Sequence, residues 1–422
     1  MEFKLKELDS CKRELEGKAD YQELQPHFEK ALVAYRKKVQ IPGFRKGKAP
    51  LSLVKKMYGQ EIEYTALDDI ANDLFRNYIK ENKVEIVGQA KLMDMDYKPN
   101  EEFTFKVEFE IIPQFEVTNI DNLEVTKTNY VIDESLVEQE LKYLLLQHSS
   151  YELDGKALDD NYMVTIDLQE LDSSGLPVVG AVQKDIRVYL ASESLEREFK
   201  EKLRDISENE ERIVEIESDN RNKKYLIKCT KVEKVVFPEL TEETLEKMTG
   251  RKGLKTDEDL KQYIRENMNN FYRKLSENNL KDEIQREVVK LNDIPVPESL
   301  VNVFLEEYVK EYKKAHHGHN HKIDEDEIRK EYRSRAIFDT KWYLLSGKLI
   351  ELFGLKVDEE DVKKIAEETS KSTNIPVDKL IPYFSKNEEV REKILKDKLI
   401  DELIKKSKIK EVEEIKSVTS EK

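Results

Sequence analysis

Apolar residues follow two different periods within residues 1–112, and each period predicts a different kind of element. Residues 22–39 and 53–78 carry them every three or four positions, which predicts two amphipathic helices. Residues 103–111 alternate strictly between apolar and polar side chains, which predicts a half-buried strand that ends before Pro113. This part of the chain is therefore predicted to be an α+β domain.

The pattern changes three more times along the chain. Residues 113–157 combine extended-looking sequence with one short helix and are predicted to be a connector. Residues 158–236 hold several short strands and one helix, which indicates a second, smaller α+β domain. Nearly everything in 237–422 has a helical period, and Thr256 with Asp259 resembles a capping box that opens a long helix. The predicted fold class is a helix-rich, multidomain α+β protein with an all-α C-terminal domain.

Composition and charge narrow the class of protein. The 422 residues are 38% hydrophobic and 38% charged, and only 13 Gly and 11 Pro interrupt the pattern, as expected of a helical chain. The net charge of −16 argues against a general nucleic-acid binder. No apolar run is long enough to cross a bilayer, and the segment from Met1 to Lys6 lacks the pattern of a signal peptide. Two cysteines, Cys11 and Cys229, make no disulfide framework. We therefore expect a cytoplasmic protein that does not enter membranes.

One window has a charge opposite to that of the whole chain. Residues 36–56 contain eight Lys and Arg side chains and no Asp or Glu. At the centre, Phe44 lies between Gly43 and Gly47, and both glycines allow tight turns. A concentrated basic loop with an aromatic side chain favours docking onto RNA phosphates and a protein partner. A solvated loop between two helices is the alternative interpretation.

The loop carries a resemblance to a known family. The run Gly43-Phe44-Arg45-Lys46-Gly47-Lys48-Ala49-Pro50 resembles the ribosome-docking signature G-F-R-x-G-K-x-P of bacterial trigger factors. Total length and domain order also resemble that family, so the resemblance covers nearly the whole chain. Four further segments are similar to family segments: Phe103–Pro113, Asp160–Leu190, Lys231–Leu240 and Asn292–Pro297.

The resemblance implies an ATP-independent chaperone that docks at the ribosomal exit tunnel and holds nascent or unfolded chains open. It implies contacts with a tunnel-exit protein and ribosomal RNA, no cofactor, and a homodimer when the protein is off the ribosome. Residues 1–112 would bind the ribosome, 113–157 would pack on the C-terminal domain, and 237–422 would form a chaperone domain with arms. The implied ribosome-binding residues are Gly43, Phe44, Arg45, Lys46, Gly47 and Lys48.

Residues 158–236 resemble the FK506-binding type of peptidyl-prolyl isomerase, which needs neither a nucleophile nor a metal. Leu168 stands where the family usually has Phe, and only Glu217–Lys224 separates the last two strands, where the family has a longer flap. The pocket is therefore predicted to be degenerate, and Phe199 and Tyr225 could equally be core residues. The candidate catalytic-pocket residues are Ile166, Leu168, Ile186, Phe199 and Tyr225.

Other readings of the chain remain open. It could be chiefly a proline isomerase, a helical scaffold or holdase that never meets ribosomes, or a periplasmic isomerase-chaperone. His316, His317, His319 and His321 could bind Zn²⁺ or Ni²⁺ weakly, but their spacing matches no structural zinc motif. We therefore predict an exposed loop and no metal site. Cys229 alternates with Ile227 on a strand and is predicted to pack as an apolar residue.

Overall fold

The chain divides into two compact units, each assembled from segments that are distant in sequence. One unit contains Met1–Thr126 and Leu280–Lys410, and the other contains Lys127–Asn279 and Glu411–Lys422. The structure is a computed structural model that describes residues 1–121, 123–192, 195–218, 221–316 and 324–418.

The first unit begins with a four-stranded antiparallel sheet that packs against two helices. Its strand order is β1-β2-β4-β3. Alternate residues of β4 point to the helices, so Phe103, Phe105, Val107 and Phe109 are all buried. The two predicted helices and the predicted strand are confirmed, whereas β1, β2 and β3 were not predicted. The bounds are β1 Glu2–Glu7, β2 Lys12–Asp20, α1 Tyr21–Lys38, α2 Leu51–Glu81, β3 Ile86–Lys98 and β4 Glu102–Ile111.

The described part of the predicted connector contains two strands and one helix: β5 Glu124–Ile132, α3 Glu134–Gln147 and β6 Ser150–Leu153. Asp133 starts α3 because its carboxylate accepts a hydrogen bond from the Ser135 backbone N–H at 2.9 Å. The strand β5 pairs with a strand at Lys408–Lys416.

A five-stranded antiparallel sheet and one short helix follow. The strand order is β6-β10-β7-β8, and β9 also pairs with β10. The core of this domain includes Val164, Ile166, Leu203, Ile227 and Cys229, each at most 1% exposed. The bounds are β6 Ser150–Leu153, β7 Tyr162–Leu171, β8 Pro177–Tyr189, α4 Arg197–Leu203, β9 Glu211–Ser218 and β10 Arg221–Val236.

The rest of the chain is helical, as predicted, with one strand that was not predicted. Thr256 and Asp259 exchange hydrogen bonds at 2.9 and 3.1 Å, so the predicted capping box is formed. Among the described helices, none combines the length and apolar character that crossing a membrane requires. The bounds are α5 Glu242–Thr249, α6 Asp257–Leu291, α7 Glu298–Ala315, α8 Glu325–Leu352, α9 Glu359–Thr373, α10 Val377–Lys386, α11 Glu388–Lys406 and β11 Lys408–Lys416.

The helical core of the first unit includes residues from the end of the N-terminal segment. Ile120, Leu123 and Val125 are buried in one cluster with side chains from α6, α8 and α11, among them Leu345 and Leu399. The sheet is tied to the helices as well, because the Glu110 carboxylate accepts hydrogen bonds from the backbone N–H and the hydroxyl of one α7 residue, Ser299, at 2.7 and 2.6 Å. The four-segment domain division stays a prediction.

Candidate functional site

The basic loop between α1 and α2 is anchored at both ends in the protein core. Ile41 and Ala49 are 3% and 4% exposed and belong to one cluster with Leu32, Val54 and Ile62 of the flanking helices. The residues between the two anchors are exposed or half-buried. The loop is therefore held at its base while its tip faces solvent.

Two consecutive hydrogen-bonded turns fix the shape of the tip. The Phe44 N–H donates to the Ile41 carbonyl at 3.1 Å, and the Lys48 N–H donates to the Arg45 carbonyl at 2.9 Å. Gly43 and Gly47 occupy the third position of these turns with φ of +86° and +76°. A type II turn needs positive φ at that position, which glycine adopts without strain. The two glycines of the motif are thus explained by backbone geometry.

The side chains of the tip form an exposed aromatic group among cations. Phe44 is 38% exposed, and its carbonyl accepts a hydrogen bond from the Gln40 amide at 3.2 Å. Arg45, Lys46 and Lys48 are exposed. Ile41, Ala49 and Gln40 were not predicted as site residues, because sequence alone does not show that they hold the loop.

The cations of the basic window have no carboxylate partner among the described residues. In the described ranges, none of the eight Lys and Arg side chains of residues 36–56 forms a salt bridge, although other Lys and Arg residues form many. The Nε of Arg36 is buried and has no hydrogen-bond partner within the described part of the chain. A cluster of unpaired cations keeps its full attraction for external anions.

The five candidate pocket residues of the small domain lie in one apolar cluster. Ile166 is buried, and Leu168, Ile186, Phe199 and Tyr225 are partly buried against it. Ile166 pairs across the sheet with Ile186 on one side and with Cys229 on the other. The structure therefore brings all five together in one packed cluster, and among the five only Tyr225 carries a polar group, its hydroxyl.

Two residues that invite a chemical role have ordinary surroundings. Cys229 is fully buried, and burial raises the pKa of its thiol, so it packs as an apolar residue, as predicted. The ring of His316 stacks on the ring of Tyr312, with 4.1 Å between the ring centroids. His317, His319 and His321 lie outside the described residues. Among the residues that are described, no group of three or more His, Cys, Asp or Glu could hold a metal ion.

These features define a class of protein: a multidomain α+β chain with an exposed basic loop, a small sheet domain and a long helical region. Two models of one family match it. The model described as bacterial trigger factor protein (TF) matches residues 1–144, and that for its C-terminus matches residues 256–405, together more than two thirds of the chain.

Relatives along the full length agree with this match. The trigger factor of Chloroherpeton thalassium is 29% identical over 421 residues, covering 97% of each chain. That of Salinibacter ruber is 26% identical and covers 95% of this chain and 92% of its own. The chain belongs to the trigger factor family, whose members are ribosome-associated chaperones that act on nascent polypeptides.

A solved structure has the same fold. It is described as "Promiscuous Substrate Recognition in Folding and Assembly Activities of the Trigger Factor Chaperone". Its TM-score is 0.50, its sequence identity is 21%, and the match covers 96% of this chain and 99% of the other. At that identity the likeness concerns the fold alone.

Proposed function

We propose that the loop Gly43–Lys48 docks this chaperone at the ribosomal exit tunnel. Phe44 would enter an apolar pocket of a tunnel-exit protein, while Arg45, Lys46 and Lys48 would pair with carboxylates or with RNA phosphates. The observation that carries the proposal is a half-exposed Phe held by two fixed turns within a window of unpaired cations. Because the turns already fix the loop, little conformational entropy is lost on docking.

The charge distribution supports an oriented encounter. The chain is strongly acidic overall, with a net charge of −16, so RNA repels most of it. The basic window is attracted to the same phosphates. The two effects together would direct the loop, rather than another face, to the ribosome.

Co-sedimentation with ribosomes tests the docking loop. The triple variant Phe44→Ala, Arg45→Ala, Lys46→Ala should stay in the supernatant, whereas the wild type should pellet and should release as salt increases. A matched control is Met93→Ala, Lys30→Ala, Lys91→Ala, which also removes one exposed apolar side chain and two exposed cations. Wild-type protein that stays in the supernatant at low salt would refute ribosome docking.

Client segments would be held without ATP on apolar side chains that the fold leaves exposed. The structure separates exposed from buried apolar residues in the helical region, and the exposed ones are the candidates for holding clients. An equimolar amount of the protein should suppress light scattering by an aggregating, unfolded client, and no suppression would count against holding. The exposed large apolar residues of α6 to α10 include Phe271, Leu291, Val303, Tyr343, Leu352 and Tyr383.

Proline isomerisation is a second candidate function, favoured by the clustering of the five pocket residues. A shaped apolar pocket could lower the barrier to rotation of about 18–20 kcal/mol by binding the twisted amide best. Because the candidate side chains pack on one another, we expect weak activity. A protease-coupled assay on an X-Pro peptide should give a rate slightly above background that Phe199→Ala removes.

The family resemblance also supports two further proposals, one about where the protein works in the cell and one about its oligomeric state. The protein would work in the cytoplasm and form a homodimer when it is off the ribosome. Sedimentation velocity over a range of concentrations tests the second point. A sedimentation coefficient that stays at the monomer value at all concentrations would refute the dimer.

A further inference from the structure

A second candidate binding surface lies at the C-terminal end of α2, where the chain turns into β3. It is a recess of about 390 Å³, a volume suited to one or two large side chains. Four of its lining residues are apolar and four are charged. They are Phe75, Ile79, Val84 and Ile86, and Arg76, Lys80, Lys83 and Glu85.

The rim of the recess is positively charged. Arg76, Lys80 and Lys83 are exposed, and none of them forms a salt bridge within the described part of the chain. Glu85 is the single acidic residue among the described lining residues. In a chain with a net charge of −16, three unpaired cations around an apolar recess favour an anionic, apolar ligand.

The backbone at Lys83 supports a role for its side chain. The Val84 N–H donates to the Ile79 carbonyl at 3.1 Å, which ends α2 with the hydrogen bond of a Schellman motif. Lys83 takes the left-handed position of that motif with φ of +52°. Glycine adopts this conformation without strain, whereas lysine does not. The chain thus carries a strained lysine at the rim of the recess.

We propose that this recess binds a short polypeptide segment in which a large apolar side chain is flanked by Asp or Glu. The apolar side chain enters between Ile79, Val84 and Ile86, and the carboxylates pair with the three cations. The site is separate from the docking loop, because the two lie at opposite ends of the 31-residue helix α2, roughly 40 Å apart. It would therefore remain open to a client while the loop is docked.

The test is fluorescence anisotropy with a labelled hexapeptide that has Phe-Leu at its centre and two Glu on each side. The full-length protein should bind it more tightly than the versions in which Gln or Lys replaces Glu, and salt should weaken the binding. Lys83→Gly should weaken binding about two- to fivefold. The same change should raise the unfolding midpoint by about 2–4 °C, because it relieves the left-handed strain. Weaker binding by a more stable protein excludes misfolding as the cause.

Charge reversal and its control complete the experiment. Arg76→Glu with Lys80→Glu should weaken binding by more than tenfold, whereas Lys30→Glu with Lys91→Glu should leave it nearly unchanged. The docking-loop triple variant should retain peptide binding, and the Arg76/Lys80 variant should still pellet with ribosomes. Equal affinity for the Glu and Lys peptides, or unchanged affinity in Lys83→Gly, would overturn the proposal without affecting ribosome docking.

Discussion

Gly17, in the middle of β2, is the position where the ring of Phe105 lies directly on the backbone. A Cβ at Gly17 would be 2.3 Å from the Phe105 Cζ, and that ring is 1% exposed. Gly17→Ala therefore has to displace a packed ring. We expect it to lower the free energy of unfolding by about 1–3 kcal/mol. Faster hydrogen exchange of the β2 and β4 amides would measure the loss.

Gly59 provides the matched control in the same part of the chain. It lies in the interior of α2, and an added Cβ would meet only the Lys55 Cγ at 3.5 Å, an ordinary contact. Gly59→Ala should stabilise the helix by about 0.5–1 kcal/mol. If both substitutions slow exchange, the contact between Gly17 and Phe105 is not tight.

Single residues differ in how much of their role the sequence reveals. Gly43 and Gly47 could be assigned to turns because Pro42 and the surrounding basic residues mark a loop locally. The reason for Gly17 is a ring on another strand, far away in the chain, so no local pattern reveals it. The left-handed backbone conformation of Lys83 was not predictable either, because it depends on the Schellman motif that ends α2.

At the scale of elements, ion pairs between strands make the N-terminal sheet sensitive to acid. The Glu102 carboxylate of β4 forms salt bridges with the Lys18 ammonium of β2 at 2.6 Å and with the Lys98 ammonium of β3 at 2.9 Å. These two ammonium groups lower the pKa of its carboxyl from 4.5 to about 2. The Glu102 carboxylate is protonated near pH 4.5 in the unfolded chain but only near pH 2 in the folded chain. Its contribution to the free energy of unfolding is therefore complete above pH 4.5 and is lost as the pH falls from 4.5 to about 2.

Glu102→Gln should therefore be less stable than the wild type at pH 7, and the difference should vanish near pH 2. Hydrogen exchange of β2, β3 and β4 as a function of pH measures it. The control is Glu101→Gln, because the exposed Glu101 carboxylate makes no salt bridge within the described residues. A difference between variant and wild type that does not change with pH would contradict the assignment.

Elements were predictable wherever apolar residues follow a clean period. The helices α1, α2 and α6 and the strand β4 meet that condition. In contrast, β2 has Gly17 at an inward position, and the two bulges of β3 break its alternation after Val87 and after Leu92. Most residues of β11 are exposed, so its sequence carries little apolar pattern. The basic loop was predictable because it is one continuous segment, whereas the recess joins a helix end to a strand.

At the scale of the whole molecule, the first compact unit depends on residues that the apolar pattern assigns to a connector. The N-terminal sheet holds its own cluster with α1 and α2, in which β4 supplies three of the six buried aromatic rings. The core of the helical region also needs residues from outside that region. Its largest cluster includes Phe115, Val117, Ile120, Leu123 and Val125. Helices α6, α8 and α11 thus complete their core with a segment more than 150 residues earlier in the chain.

Leu123→Ala tests this dependence. Leu123 is 2% exposed in the cluster with Leu345 and Leu399, so the change should cost about 2–5 kcal/mol. The loss should appear as faster hydrogen exchange in α8 and α11, with the N-terminal sheet unaffected. Val131→Ala, on the strand β5 that follows Leu123, is at a position 44% exposed and should cost less than about 0.5 kcal/mol. If the helices exchanged at wild-type rates, the connector would merely link the domains; if they exchange faster, it is a layer of the helical core.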